Sequence, residues 1–226
     1  MKKIAQILFF TAGIGEILAG IVSSEILHLI CKPLIMILLL IYYLSAAQHG
    51  RVPSVIAAIV FSLAGDVLLM FEAKMSSFFM FGLLSFLIAH VCYILAYRSH
   101  QTETEITPLQ GIQKMRLAFP IVLAGTGLIV VLYPVLGALR LPVIIYALVL
   151  VVMVLNALFR YGRTNIKSFW FVFAGSVLFM VSDSLLAINK FLNPILMAEF
   201  LIMSTYIAAQ YFIVQGIIVH LESKES

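Results

Sequence analysis

FAGSVLFMVSDSLLA, the stretch Phe173 to Ala187, decides the fold. It is apolar enough to belong to a membrane-spanning helix, yet Ser182 and Asp183 stand in its middle. An ionisable side chain in hydrocarbon costs at least ~2.5 kcal/mol on insertion scales, so it is retained for a partner or a function. A related stretch lies upstream, FSLAGDVLLMF at Phe61 to Phe71. Aligned on the shared Ala-Gly, Phe61 matches Phe171, Ala64-Gly65 matches Ala174-Gly175, Val67-Leu68 matches Val177-Leu178, and Met70 matches Met180. Asp66 falls on Ser176, which puts the two carboxyls at different depths of two related helices. The pattern predicts two related halves that bring two intramembrane aspartates to one cavity.

Working outward, composition places the whole chain in the bilayer. Of its 226 residues 63% are hydrophobic and only 11% charged, with a mean hydropathy of +1.14. A soluble domain of this size carries about 25% charged residues. The formal charge of +4 therefore marks cytoplasmic loops and not a nucleic-acid surface. Cys31 and Cys92 have no metal or redox spacing, and no disulfide is implied. Met1-Lys2-Lys3 before an apolar run resembles a signal peptide, but Glu16 and the glycines interrupt that run, so the expectation is an uncleaved first helix.

A span needs ~20 mostly apolar residues. On that rule the sequence predicts an all-α, polytopic protein with eight transmembrane helices in a single membrane domain. They cover residues 4–23, 31–47, 53–71, 77–98, 117–136, 141–160, 169–190 and 197–219. Pro33 and Pro53 are expected in first turns, Gly50 between helices, and Pro142 and Pro194 at helix starts. Residues 99–116, with QTETE and Pro108, read as a solvated loop. With both termini cytoplasmic, inner segments hold Lys2, Lys3, Arg51, Arg98, Lys114, Arg116, Arg160, Arg163, Lys167 and Lys224. The outer side holds only Lys32, Lys74, Arg140 and Lys190. That bias fits the positive-inside rule. Helices three and seven then run the same way, and the duplication is a parallel four-plus-four repeat.

At ~1.5 Å per residue, Asp66, Asp183, Glu16, Lys32 and Tyr146 fall in the outer halves of their helices, with His90 and Tyr206 nearer the midplane. Helical spacing puts Phe86, His90, Tyr93 and Tyr97 on one stripe, and Glu199, Met203, Tyr206 and Gln210 on another. Small residues beside them, Gly65, Gly82, Ala174 and Gly175, let helices approach closely. A polar pocket in the outer half of the bundle is expected. Glu16 and Lys32 either form a structural ion pair between the first two helices or serve that pocket. Asn156 and Asn189 read as interhelical hydrogen bonds or caps.

Several of these residues form motifs that resemble the YhhN family, which includes the TMEM86 lysoplasmalogenases. They are Lys32-Pro33, Gly65-Asp66 with Leu69, the run Phe79, Gly82, Phe86, His90, Tyr93, then Gly175, Phe179, Ser182-Asp183 with Leu186-Ala187, and Tyr206 with Gln210. The resemblance implies an eight-helix membrane hydrolase that cleaves the sn-1 vinyl ether of a lysoplasmalogen, needing no metal or organic cofactor. Its partners would be a lysophospholipid substrate and membrane lipids, with no nucleic acid, most naturally in a bacterial inner membrane. Asp66 and Asp183 would be catalytic. Lys32, His90, Tyr93, Ser182, Tyr206, Gln210 and Glu16 would bind or orient.

The chemistry fits the residues by itself. Vinyl ethers hydrolyse by protonation at carbon, which gives an oxocarbenium ion that water captures. One acid and one carboxylate suffice, the division of labour known from glycoside hydrolysis. Nothing in the sequence says which aspartate takes which part. The competing reading is a small proton-coupled carrier of a lipid-like solute, with the same bundle and the same buried carboxyls. The absence of GxSxG, HExxH or a phosphate loop weighs against a serine lipase, a zinc protease or an ATP-driven pump.

Overall fold

The computed structural model describes residues 2–47, 50–99 and 107–223. The QTETE stretch and Lys224 lie outside the described residues. Among those described there are eight α-helices and one short 3₁₀ turn: α1 Lys2–Val22, α2 Glu25–Ala46, α3 Pro53–Met70, α4 Ser76–Ser99, α5 Gly111–Leu132, the turn Gly137–Leu139, α6 Arg140–Leu158, α7 Ile166–Phe191 and α8 Ala198–Glu222. All eight are long and apolar enough to cross a membrane. Large side chains such as Ile26, Ile112 and Leu196 are 74%, 83% and 88% exposed. Surface of this kind on every helix suits lipid and not water. The protein is an integral, multi-pass membrane protein.

Two of the sequence-based boundaries need correcting, and both involve proline. α2 begins at Glu25, six residues before the expected start of 31, so Pro33 lies inside the helix and not in its first turn. Ser24 caps it, its hydroxyl accepting from the Leu27 N–H at 3.4 Å. Glu25 and His28 lower the hydropathy of this added stretch, and both are tolerable near a helix end at the water boundary. α5 likewise begins at Gly111 instead of 117 and carries Pro120 internally. Its added first turn bears Lys114, which lies over the Phe159 ring at 4.0 Å. Interior proline is common in spans, where neighbouring groups satisfy the freed carbonyl.

The chain divides between Ala96 and Tyr97 into two compact units. In the first, α1 packs on α2 and α2 on α3. The buried Tyr43 hydroxyl accepts from the Val52 N–H at 2.8 Å, which fastens the end of α2 to the start of α3. α3 meets α4 where Gly65 lies under the Phe86 ring and Gly82 under Leu69. A Cβ on Gly65 would come within 2.6 Å of that ring. In the second unit α7 and α8 pack closely, α6 lies on α7, and α5 rests against α6 with little of its surface covered.

The α7–α8 seam is closed by backbone. A Cβ at Gly175 would stand 2.8 Å from both the Ala209 carbonyl oxygen and the Ile213 nitrogen, and one at Gly216 would stand 2.9 Å from the Val172 nitrogen. Peptide atoms cannot move aside as a rotamer can. Gly175→Ala is therefore expected to destabilise the protein by about 1–3 kcal/mol, the usual cost of overpacking. Gly127→Ala, with open space around it, should be neutral or slightly stabilising. Thermal unfolding of the two variants in detergent checks this; equal melting temperatures would refute the tight seam.

Most basic residues of the second unit gather at one end, with Arg140 and Lys190 at the other. Arg98 donates to Asn156 Oδ1 at 2.8 Å. Arg160, wholly buried in the turn after α6, donates to Ser168 Oγ at 2.9 Å and lies over the Tyr97 ring. Burial pulls its guanidinium down to about 10, with Tyr97 opposing the shift, so it stays charged at neutral pH. Asn156 and Asn189 act as expected: the first joins helices through Arg98, and the second accepts from the Ile195 N–H at 2.8 Å.

Candidate functional site

In the second unit the polar residues of α6, α7 and α8 fall at one level. Tyr146 is six residues into α6 (140 to 146), Asp183 eight before the end of α7 (183 to 191), and Tyr206 eight into α8 (198 to 206). At ~1.5 Å per residue all three lie roughly 9–12 Å from the same end. The Tyr146 hydroxyl donates to Asp183 Oδ2 at 2.5 Å. This is a short contact between a phenol and a carboxyl oxygen. Asp183 is partly exposed while Tyr146 is buried, so the carboxyl is held from its closed side.

Beside it, Gln210 Nε2 donates to the Tyr206 hydroxyl at 3.3 Å, and the Tyr206 ring stands edge-on to Phe179 at 5.5 Å. Tyr206, Gln210 and Phe179 are all buried. Ser182, the residue next to Asp183, points elsewhere. Its hydroxyl donates to the Ile202 carbonyl of α8 at 3.0 Å, which ties α7 to α8 at the level of the carboxyl. Ser184 returns its hydroxyl to the Met180 carbonyl at 2.7 Å.

The first unit carries the second intramembrane aspartate of the sequence, Asp66. Asp66 is 3% exposed, four residues before the end of α3 (66 to 70), with the buried Ser62 one turn below it. On α4 the stripe read from the sequence is buried throughout: Phe86, His90, Tyr93 and Tyr97. The opposite face exposes Phe81, Leu84, Val91 and Leu95. Phe86 lies against Gly65, so the aromatic stripe begins directly beside Asp66.

One expected pairing is wrong. Glu16 does not engage Lys32; its Oε1 meets His28 Nδ1 at 2.7 Å. Because α2 starts early, His28 lies inside the helix, one turn nearer its start than Lys32, and reaches α1 first. Sequence reasoning gave His28 no part, since it falls in the segment left outside the second span. It also noted the depth of Tyr146 without giving it a role. The signal was there, as a lone hydroxyl at the level of Asp183 in an otherwise apolar helix.

These positions coincide with a known family. The sequence profile of the YhhN family matches residues 27–217. The chain belongs to the YhhN family. Among curated relatives, this YhhN chain is similar to "Lysoplasmalogenase TMEM86A" of Homo sapiens, 30% identical over 171 residues, covering 73% of this chain and 65% of that protein. It is also similar to "Lysoplasmalogenase TMEM86B" of Homo sapiens, at 32% over 157 residues, 69% of this chain and 59% of the relative. "Lysoplasmalogenase" of Mycobacterium bovis is 32% identical over 142 residues, 61% of this chain and 50% of its own length. The YhhN chain thus spans about half to two thirds of the relatives it matches. No solved structure matches it. Of the site residues, Asp66, Asp183, Tyr146, Tyr206 and Gln210 lie within the matched span, and Glu16 lies outside it.

Proposed function

We propose that this YhhN protein is a lysoplasmalogenase, hydrolysing the sn-1 vinyl ether of lysoplasmenylethanolamine or lysoplasmenylcholine by acid–base catalysis with Asp66 and Asp183. The activity named for its relatives supports the reaction class. The contact of Tyr146 with Asp183 supports the mechanism most directly, because it holds one carboxyl oxygen as an acceptor. A carboxylate is the stronger acceptor for a phenol, which favours Asp183 as the group that steadies the cation and takes the proton from water. Asp66, almost fully buried, is the acid.

The steps balance with one water. Asp66 gives its proton to the vinyl carbon distal to the ether oxygen, and the π electrons form that C–H bond. The positive charge is shared between the other vinyl carbon and the ether oxygen. Water, deprotonated towards Asp183, adds to that carbon to give a hemiacetal. In the collapse the hemiacetal hydroxyl returns a proton to Asp66 as its C=O forms, and the bond to the glycerol oxygen breaks as Asp183 gives that oxygen the proton taken from water, releasing a fatty aldehyde and a glycerophosphoethanolamine or glycerophosphocholine with both aspartates restored. Tyr206 and Gln210 orient the water, and His90 and Tyr93 line the approach to Asp66. The excess of Lys and Arg in alternate connecting segments of the sequence supports cytoplasmic termini, and the setting we propose is a bacterial inner membrane.

Purified protein in detergent micelles, with no sealed compartment, is expected to release fatty aldehyde from lysoplasmenylethanolamine. Release only from intact vesicles, or transport without cleavage, would favour a carrier and end this reading.

A further inference from the structure

We infer that His28 and Lys32 form a clamp for the phosphate of the substrate headgroup, with Glu16 as the residue that positions His28. The inference rests on the lysophospholipid reading and deepens it.

It begins with an ammonium that lacks a counter-charge. Lys32 is seven residues into α2 (25 to 32), roughly 10 Å from the helix start at 1.5 Å per residue. Among the described residues, none binds it through a hydrogen bond or ion pair. A cation at that depth is retained for an anion. One turn away, at i and i+4 on the same face, stands His28.

Glu16 fixes this ring. Its carboxylate is 3% exposed, and its Oε1 holds His28 Nδ1 at 2.7 Å. The other ring nitrogen is directed away from the carboxylate, on a side chain 37% exposed. The hydrogen bond made by one nitrogen thus settles what the other can offer. A phosphate oxygen reaching Nε2 would be bound by an Nε2–H donor on this oriented ring, one helical turn from the Lys32 side chain. Other titratable groups nearby are Glu25, exposed at the helix start, and Cys31, whose sulfur faces Gly15 of α1.

Depth matches the reaction centre of the same unit. Asp66 is roughly 6 Å from the end of α3 (66 to 70). Because α2 and α3 are antiparallel neighbours, that end is also the one where α2 starts. A headgroup phosphate and an sn-1 ether oxygen are separated only by the glycerol, so both fit this layer.

The test compares two vinyl ethers, lysoplasmenylethanolamine and a phosphate-free 1-alkenylglycerol, in detergent. His28→Gln and Lys32→Met are each expected to lower the ratio of kcat/KM for the first over the second by roughly tenfold or more, mainly through KM, in keeping with a hydrogen bond to a charged group. Glu16→Gln should lower the same ratio by a smaller factor. A purely structural role would depress both substrates together, leave the ratio unchanged and overturn the clamp. Binding of lysophosphatidylethanolamine, which has the headgroup but no vinyl ether, separates this proposal from the hydrolase reading. Weaker binding by both variants supports the clamp even if wild-type protein cleaves nothing. Unchanged binding overturns it even if the enzyme is active. Displacement of the lipid by millimolar inorganic phosphate would overturn the headgroup assignment in favour of a free-phosphate site, whereas retention of the lipid supports it.

Discussion

Asp183→Asn and Asp66→Asn are each expected to cut aldehyde release from lysoplasmenylethanolamine by roughly 10²–10⁴-fold, the usual worth of a positioned acid or base. Asparagine keeps the volume of each side chain and its capacity to accept a hydrogen bond, so Tyr146 can still donate at position 183. What it cannot do is carry a proton to carbon or take one from water. The loss should appear in kcat with KM little changed, because neither carboxyl is assigned to headgroup binding. The double variant should be only slightly worse than either single one, as groups that act as a unit are not additive. Near wild-type turnover in either single variant would remove that aspartate from the mechanism.

Tyr146→Phe is expected to lower kcat by roughly 10- to 100-fold. The phenol supplies one hydrogen bond to a charged group, worth about 1.5–3 kcal/mol where no other donor replaces it. Phenylalanine retains the ring that fills the α6–α7 contact, so the melting temperature should stay close to that of the wild type. If the substitution costs stability and not turnover, Tyr146 is a strut and the carboxyl is oriented by other means. The two outcomes are read from one preparation, by aldehyde assay and thermal unfolding.

Eight spans, their order and the buried stripe of α4 were legible because hydropathy and 3.6-residue periodicity record what each helix faces. Residues that meet across helices were less so. The pairing of Glu16 depended on where α2 begins, and that start is set by the Ser24 cap and not by apolar content. An interior Pro33 was read as a boundary because proline usually marks one. Asp183 announced itself by its cost in hydrocarbon, but tyrosine is common in spans and its phenol carries no such signal. Tyr146 could be assigned only once α6 was seen against α7. Ser182, adjacent to Asp183 in sequence, is turned about 100° around the helix from it and donates to the Ile202 carbonyl of α8.

At Gly175, α7 rests on peptide atoms of α8 with no side chain between them. Two rods in such contact have no bearing surface on which to swivel. Tilting one without the other would drive Cα into a carbonyl, so this hairpin travels as a rigid piece. If a lipid enters from the bilayer, as the proposed function requires, its door is expected to hang on another helix. Asp183 and Tyr206 keep their mutual spacing whether that door is open or shut.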